Sequence, residues 1–381
     1  MSWLSRADTS PLGRWWWTVD RWALMGIVLL MGLGFFLTMA ASPAVATHLK
    51  LDSFYFVKRH AFFVVLVFGM LVGVSLLSVH NVRRLCLVLY VGCLLLLLAT
   101  PFLGVEIKGA KRWLSLGGFS LQPSEFVKPV LTVLVAWMLS ESQRDATFPG
   151  RTAALVMYAI VVGLLLLQPD MGMIILITGV TFVQFFLAGL PLAWVAVATA
   201  VGSAGLVGSY FLFSHVRGRV DRFLDPSSGD KFTDRYQITQ SLEAFVNGGL
   251  WGRGPGEGTV KAHLPDAHAD FIFAVAGEEF GFILCAIIVC LFAFVVLRSL
   301  ARIFYDDYLF AVLAVAGLIL QFGLQALINM ASTLNLIPTK GMTLPFVSYG
   351  GSSMMATALT MGFVLALTRR RLEVQKHTYD T

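Results

Sequence analysis

The sequence predicts an all-α integral membrane protein with ten transmembrane helices and a long outer-face loop between the seventh and eighth. Three observations lead there. The 381 residues are 57% hydrophobic and 13% charged, about half the charged share of a soluble domain. Ten windows of bilayer-spanning length are apolar enough to cross, and mean hydropathy is +0.78. Outside the longest loop, Lys and Arg gather on the side that would carry both termini, as they do on a cytoplasmic face.

The ten segments are 22–41, 60–78, 84–103, 126–140, 152–168, 171–187, 191–214, 271–297, 308–331 and 350–368. Residues 1–21 then form a cytoplasmic N-terminal tail, 22–368 one membrane domain, and 369–381 a cytoplasmic C-terminal tail. The first segment ends in "SPAVA", which resembles a signal-peptidase site, but its apolar length marks a retained anchor. Trp15, Trp16 and Trp17 suit an interfacial aromatic belt. All four cysteines lie inside apolar segments and none forms a CxxC pair, so they read as small packing residues. The net charge of +6 reflects topology and anionic lipid, and nothing points to nucleic acid.

Three connections are long: 104–124, 215–269 and 332–349. All fall on the outer face when the N-terminus is inside. Within the second, 233–247 reads as a short amphipathic helix along the membrane surface, with Ile238, Leu242 and Phe245 on one face. The glycine-rich "GGLWGRGPGEG" that follows is a turning segment.

Ionisable groups are costly in a bilayer and mark functional candidates. Glu125 and Lys128 sit at i, i+3 on one face of the fourth segment, as a structural ion pair, as cavity residues, or as both. Asp170 follows Pro169 between two segments, where it can cap a helix. Glu278 and Glu279 lie two turns into the eighth segment, where a neighbouring helix can pair them. Arg112, in the loop 104–124, is a further cavity candidate. Residues 263–281, "HLPDAHADFIFAVAGEEFG", concentrate acids and histidines in front of an apolar run. Asp270 can be an N-cap for that run, or a metal ligand with His263, Asp266 and His268, although their spacing matches no strong metal motif. It can also be a carboxylate base at the mouth of a cavity. Arg253, Lys261 and Lys340 are candidates for holding a phosphate-bearing substrate. "IPTKGMTLPFVSYGGSSMM" (337–355) is non-helical backbone at membrane depth, read as a re-entrant turn or as a cavity lining with Ser348 and Ser352.

Taken together, "KGAKRWLSLGGFSLQPSEFVKP" (108–129), "QPDMG" (168–172), "RYQITQSLEAFVNGGLWGRGPGEG" (235–258), "HLPDAHADFIFAVAGEEFG" and "NLIPTKGMTLPFVSYGGSS" (335–353) resemble the SEDS family of shape, elongation, division and sporulation proteins. The likeness covers roughly residues 20–371. "KGAKRW", "GRGPGEG", "IPTKG" and "TRRR" resemble its cell-division branch (FtsW) more than its elongation branch (RodA). The resemblance implies a ten-helix peptidoglycan glycosyltransferase of the bacterial inner membrane, acting at the division septum. It would polymerise lipid II with a class B penicillin-binding transpeptidase and other division proteins as partners. The family's catalytic aspartate maps onto Asp270. Asp266 and Ala269 stand where the family more often has Glu and Thr, so no hydroxyl role carries over to position 269. The implied inverting transfer needs one base on the acceptor. It also needs positive charge on the pyrophosphate leaving group, from Lys, Arg or a divalent cation such as Mg or Mn, with no organic cofactor. A lipid II flippase and a non-catalytic division scaffold are the competing readings.

Overall fold

The structure is a computed structural model that describes residues 10–369 except 49, 51, 108–109, 118, 213, 225–233, 265, 305 and 339–340. Thirteen α-helices are described: α1 (Pro11–Thr18), α2 (Arg21–His48), α3 (Tyr55–Ser75), α4 (Val79–Leu103), α5 (Pro123–Arg144), α6 (Gly150–Leu167), α7 (Met171–Leu187), α8 (Leu192–Leu212), α9 (Ser214–Leu224), α10 (Asp234–Gly248), α11 (Ile272–Ile303), α12 (Leu309–Thr333) and α13 (Gly351–Leu367). Each of the ten apolar segments coincides with a helix, to within a few residues at the ends. Six helices, α2, α3, α4, α6, α11 and α12, are long and apolar enough to cross a membrane, and α7 and α13 are shorter and apolar. The charges of α5 keep it out of that set by composition. They are tolerated because α5 is buried on almost every face, packed by α4, α6 and α12, so its polar groups meet protein and not lipid.

Two of the long connections carry more structure than the sequence predicts. In 104–124, strands β1 (Val105–Ile107), β2 (Ala110–Leu116) and β3 (Phe119–Leu121) form an antiparallel sheet, with Glu106 opposite Lys111 and Leu114 opposite Leu121. The 215–269 connection holds α9, α10 and a 3-10 turn over Val260–His263. α10 forms where the pattern predicts it, but its buried positions are Ser241, Ala244 and Gly248, while Leu242 is exposed. Small residues win because α10 lies against α11: a Cβ on Gly248 would stand 1.9 Å from the Gly277 carbonyl oxygen.

α11 is broken at Gly281 (φ 72°, ψ −169°), a conformation that favours glycine. The break frees carbonyls that an unbroken helix would use internally. The Glu278 and Glu279 carbonyls accept instead from Arg253 N (3.0 Å) and Gly254 N (2.9 Å), and Phe282 N donates to the Gly249 carbonyl (2.9 Å). Gly252 (φ 81°) makes this docking possible, since a Cβ there would lie 2.2 Å from the Glu279 carbonyl oxygen.

At the opposite end of α11, Asp20 is buried and caps α2. Its Oδ1 accepts from Trp22 N (3.0 Å) and Ala23 N (3.2 Å), and its Oδ2 accepts from Arg298 Nε (2.9 Å) and Arg302 Nε (2.6 Å). Burial works against ionisation, but Arg302, the Ala23 N–H and Arg298 outweigh it and hold the carboxyl below its ordinary value.

Gly252→Ala should destabilise the protein by about 2–3 kcal/mol, from positive-φ strain and backbone overlap together. Melting in detergent followed by fluorescence checks this, and an unchanged midpoint would contradict the docking. The stabilisation from Asp20 is present above its ordinary pKa and is lost as pH falls through the lower folded value. Wild type should therefore lose more melting temperature than Asp20→Asn on going from pH 6 to about pH 3.

Candidate active site

The loop 266–270 runs into α11 and brings Asp270 to the junction of α11, α12 and the segment before α13. Three successive carbonyls of this loop are each held from that side. The His268 carbonyl accepts from Tyr349 N (2.9 Å), the Ala269 carbonyl from Ser348 Oγ (2.5 Å), and the Asp270 carbonyl from Asn329 Nδ2 (2.9 Å). Ser348 Oγ also accepts from Leu344 N (2.8 Å), and Asn329 Nδ2 donates to the Met342 carbonyl (2.6 Å). The non-helical segment 341–349 is thereby locked to the loop. Its Phe346 and Val347 are fully buried, and it reaches α2 where Gly34 leaves room: a Cβ there would lie 2.4 Å from the Phe346 carbonyl oxygen.

The N-cap of α11 is Phe271, with no side-chain cap. Asp270 therefore stands one residue before the N-cap position, against the simplest reading of its place in the sequence. It lies next to Gly341, where a Cβ would be 3.5 Å from Asp270 Oδ2. Lys340 lies outside the described residues. His268 is buried against Phe56 (ring centroids 4.4 Å apart) and Tyr349 (5.2 Å). Burial lowers its pKa from the usual histidine range, with Asp266 opposing, so the ring enters the site neutral at physiological pH. Among the described residues no group of three or more His, Cys, Asp or Glu is arranged to hold a metal ion.

A second polar group sits deeper, on α5, α7 and α12. Glu125 Oε2 and Lys128 Nζ are 2.9 Å apart, and Lys128 Nζ donates to Gln325 Oε1 (2.8 Å). Thr132 Oγ1 donates to Gln321 Oε1 (3.2 Å). A cavity of about 10 Å³ lies beside Glu125, Lys128, Gln321 and Gln325, room for about one water. Asp170 caps α7 through Met173 N (3.5 Å), and Arg112 lies 3.9 Å from it while donating to the Gln168 and Pro169 carbonyls (3.2 and 2.6 Å). Gln325 Nε2 donates to the Thr343 carbonyl (3.2 Å), which connects this group to the segment over Asp270.

The remaining candidates hold the scaffold. Both Glu278 oxygens accept backbone N–H groups, Oε1 from Thr259 and Val260 (2.7 Å each) and Oε2 from Lys261 (3.0 Å). Buried Lys261 gives its three donors to Glu279, the Ala40 carbonyl and the Gly256 carbonyl, so its charge is spent inside the protein. Arg253 is exposed and bonds Thr259 Oγ1 (3.2 Å) and the Asn247 carbonyl. Ser352 Oγ donates to the Ser120 carbonyl (2.9 Å) and accepts from Gln122 N (3.1 Å), tying α13 to the sheet.

The amides Gln321, Gln325 and Asn329 escaped the sequence reading. Their i, i+4, i+8 spacing inside an apolar segment is the signal that finds them, because it places three polar groups on one helix face.

The chain resembles known proteins along nearly its whole length. The FTSW_RODA_SPOVE family, described as cell cycle protein, matches residues 21–373. A probable peptidoglycan glycosyltransferase FtsW of Caulobacter vibrioides is 48% identical over 368 residues, covering 96% of this chain and 93% of that protein. The protein of the same description from Geobacter sulfurreducens is 35% identical, with 92% and 96% covered. Among solved structures, a chain from work on the structural coordination of polymerization and crosslinking by a peptidoglycan synthase complex superposes with a TM-score of 0.76 at 27% identity, covering 92% of this chain and 97% of that one. Thermus thermophilus rod shape determining protein RodA gives 0.68 at 27%, with 93% and 97% covered. With the family matched along nearly the whole sequence and relatives close to half identical, the chain belongs to the FtsW/RodA/SpoVE family of cell cycle proteins, the SEDS family.

Proposed function

We propose that this protein is an inverting peptidoglycan glycosyltransferase that polymerises lipid II at the outer face of the bacterial cytoplasmic membrane during division, with Asp270 as its base. The observation that carries the assignment to Asp270 is the fixing of carbonyls 268–270 by Tyr349, Ser348 and Asn329, which holds one carboxylate beside Gly341. This reading takes ten helices across the membrane, both termini cytoplasmic, and a place at the septum. It takes a class B penicillin-binding transpeptidase as partner, in keeping with the likeness to a chain of a peptidoglycan synthase complex.

The chemistry follows from a carboxylate at a membrane surface. Asp270 accepts the proton of the acceptor sugar's 4-hydroxyl as that oxygen attacks the anomeric carbon of the donor. The new C–O bond forms on the face opposite the breaking bond to pyrophosphate, so the configuration inverts. A lone carboxylate is a weak base for a hydroxyl, and its help comes late, when bonding to carbon has made the proton acidic. The polyprenyl chains stay in the bilayer while the head groups meet at the loop. A divalent cation would add charge stabilisation at the leaving pyrophosphate. The described residues offer no group of three or more His, Cys, Asp or Glu to hold one. Lys128 lines the inner cavity, and Arg112 stands beside Asp170. A cavity of about 10 Å³ beside Lys128 gives no passage for a lipid head group, which counts against the flippase reading.

Purified wild type, with its transpeptidase partner and lipid II, should yield glycan chains on a gel. Asp270→Asn should lose at least about 100-fold in rate while eluting and melting as wild type. Wild-type chain yield from the variant would remove Asp270 as the base. For the inner pair, Glu125→Gln and Lys128→Met should each lower stability more than the double change, because each single change strands a buried partner. Additive losses in the double-mutant cycle would show that the pair is not coupled.

A further inference from the structure

The face that carries the termini holds a second pocket, far from Asp270 along the helices. α1, the turn between α3 and α4, and the end of α13 enclose a volume of about 500 Å³. Its walls include Leu76, Leu77, Val79 and Leu367, and two arginines, Arg14 and Arg369, line it. No acidic residue is among its described lining residues.

The two arginines are prepared differently. Arg369 is fixed: its Nε donates to Thr18 Oγ1 (3.1 Å), and one terminal nitrogen donates to the Ser75 and Leu76 carbonyls (3.4 and 3.2 Å). Arg14 is exposed, and among the described residues its guanidinium has no ion pair or hydrogen bond. Burial, and then the like charge of Arg14, lower the Arg369 guanidinium from its ordinary value. Two cations facing one cavity without a counter-charge favour an anion between them.

The surroundings belong to a membrane edge. Trp15 Nε1 donates to Ser75 Oγ (2.8 Å), which docks α1 on the end of α3. Arg21 lies over the rings of Trp16 (5.7 Å) and Trp17 (4.9 Å), the mixture of ring and cation found at the headgroup level. A soluble phosphate would use the arginines and leave the leucine and valine walls wet. A lipid uses both.

We propose that this pocket binds an anionic phospholipid of the inner leaflet, its phosphate between Arg14 and Arg369 and an acyl chain along Leu76, Leu77, Val79 and Leu367. Bound lipid then ties α1 to α4 and α13, and so joins the N-terminal and C-terminal helices of the domain.

The test is native mass spectrometry of the full chain with phosphatidylglycerol, with phosphatidylethanolamine, and with phosphatidylglycerol plus millimolar inorganic phosphate. Wild type should retain phosphatidylglycerol over phosphatidylethanolamine. Arg14→Gln should retain about five-fold less, the factor expected for one basic residue at a lipid surface. Arg14→Glu should retain less still, and Arg144→Gln at the end of α5 should match wild type. Because the Arg14 guanidinium makes no hydrogen bond or ion pair among the described residues, both Arg14 variants should elute and melt as wild type without lipid. Retention by Arg14→Gln equal to wild type would overturn the site. So would equal retention of phosphatidylethanolamine, and displacement of the lipid by inorganic phosphate would reassign the pocket to a soluble anion.

Discussion

Three consecutive peptide carbonyls, those of His268, Ala269 and Asp270, give up loop freedom to donors from elsewhere in the chain. Two parts of the chain, α12 and the segment before α13, supply those donors. Asn329 comes from the last turns of α12, and Ser348 and Tyr349 come from the non-helical segment before α13. That segment can be non-helical at this depth because it is buried in protein, with its backbone bonded to the loop and to Gln325. A carboxylate on a free loop would sample many positions. One whose own and preceding carbonyls are bonded is held where a reacting hydroxyl can be met repeatedly.

Behind the loop, the break in α11 has a parallel purpose. Gly281 opens the helix, and the carbonyls it frees, together with the carboxylates of Glu278 and Glu279, take up N–H groups and the Lys261 ammonium from the glycine-rich segment. Two acids buried in an apolar helix would each cost several kcal/mol unpaired. Here each has at least two donors. They fasten the connection from α10 to the candidate site, and both are buried there.

Much of this was legible in the sequence, and the exceptions share a cause. Apolar length marked the helices because lipid demands it, and the motif around Asp270 marked the candidate site. Glu125 and Lys128 were readable as a pair because i, i+3 spacing is local. The sheet of β1–β3, the small-residue face of α10 and the partners of Lys261 were not readable, because each depends on what stands opposite. Gly248 is buried because Gly277 allows close approach, whereas periodicity placed Ile238, Leu242 and Phe245 on one face. Lys261 looked available for phosphate until Glu279 and two carbonyls claimed it. Gln321, Gln325 and Asn329 carried a readable stripe, since polar amides on one face of an apolar helix must find partners inside the protein.

The central claim is that bonding of the loop carbonyls sets the position of the Asp270 carboxylate. The most direct measurement is steady-state lipid II polymerisation by Asn329→Ala, with kcat and KM determined separately, beside Ser348→Ala and Ser348→Thr. The account predicts that Asn329→Ala loses about 100-fold in kcat, the scale of a misplacement near 1 Å, with KM close to wild type and a lowered melting temperature, because two carbonyls lose a buried donor. It predicts a smaller kcat loss for Ser348→Ala and recovery in Ser348→Thr, which restores the hydroxyl. Wild-type kcat in Asn329→Ala, or a loss that appears only in KM, would contradict it.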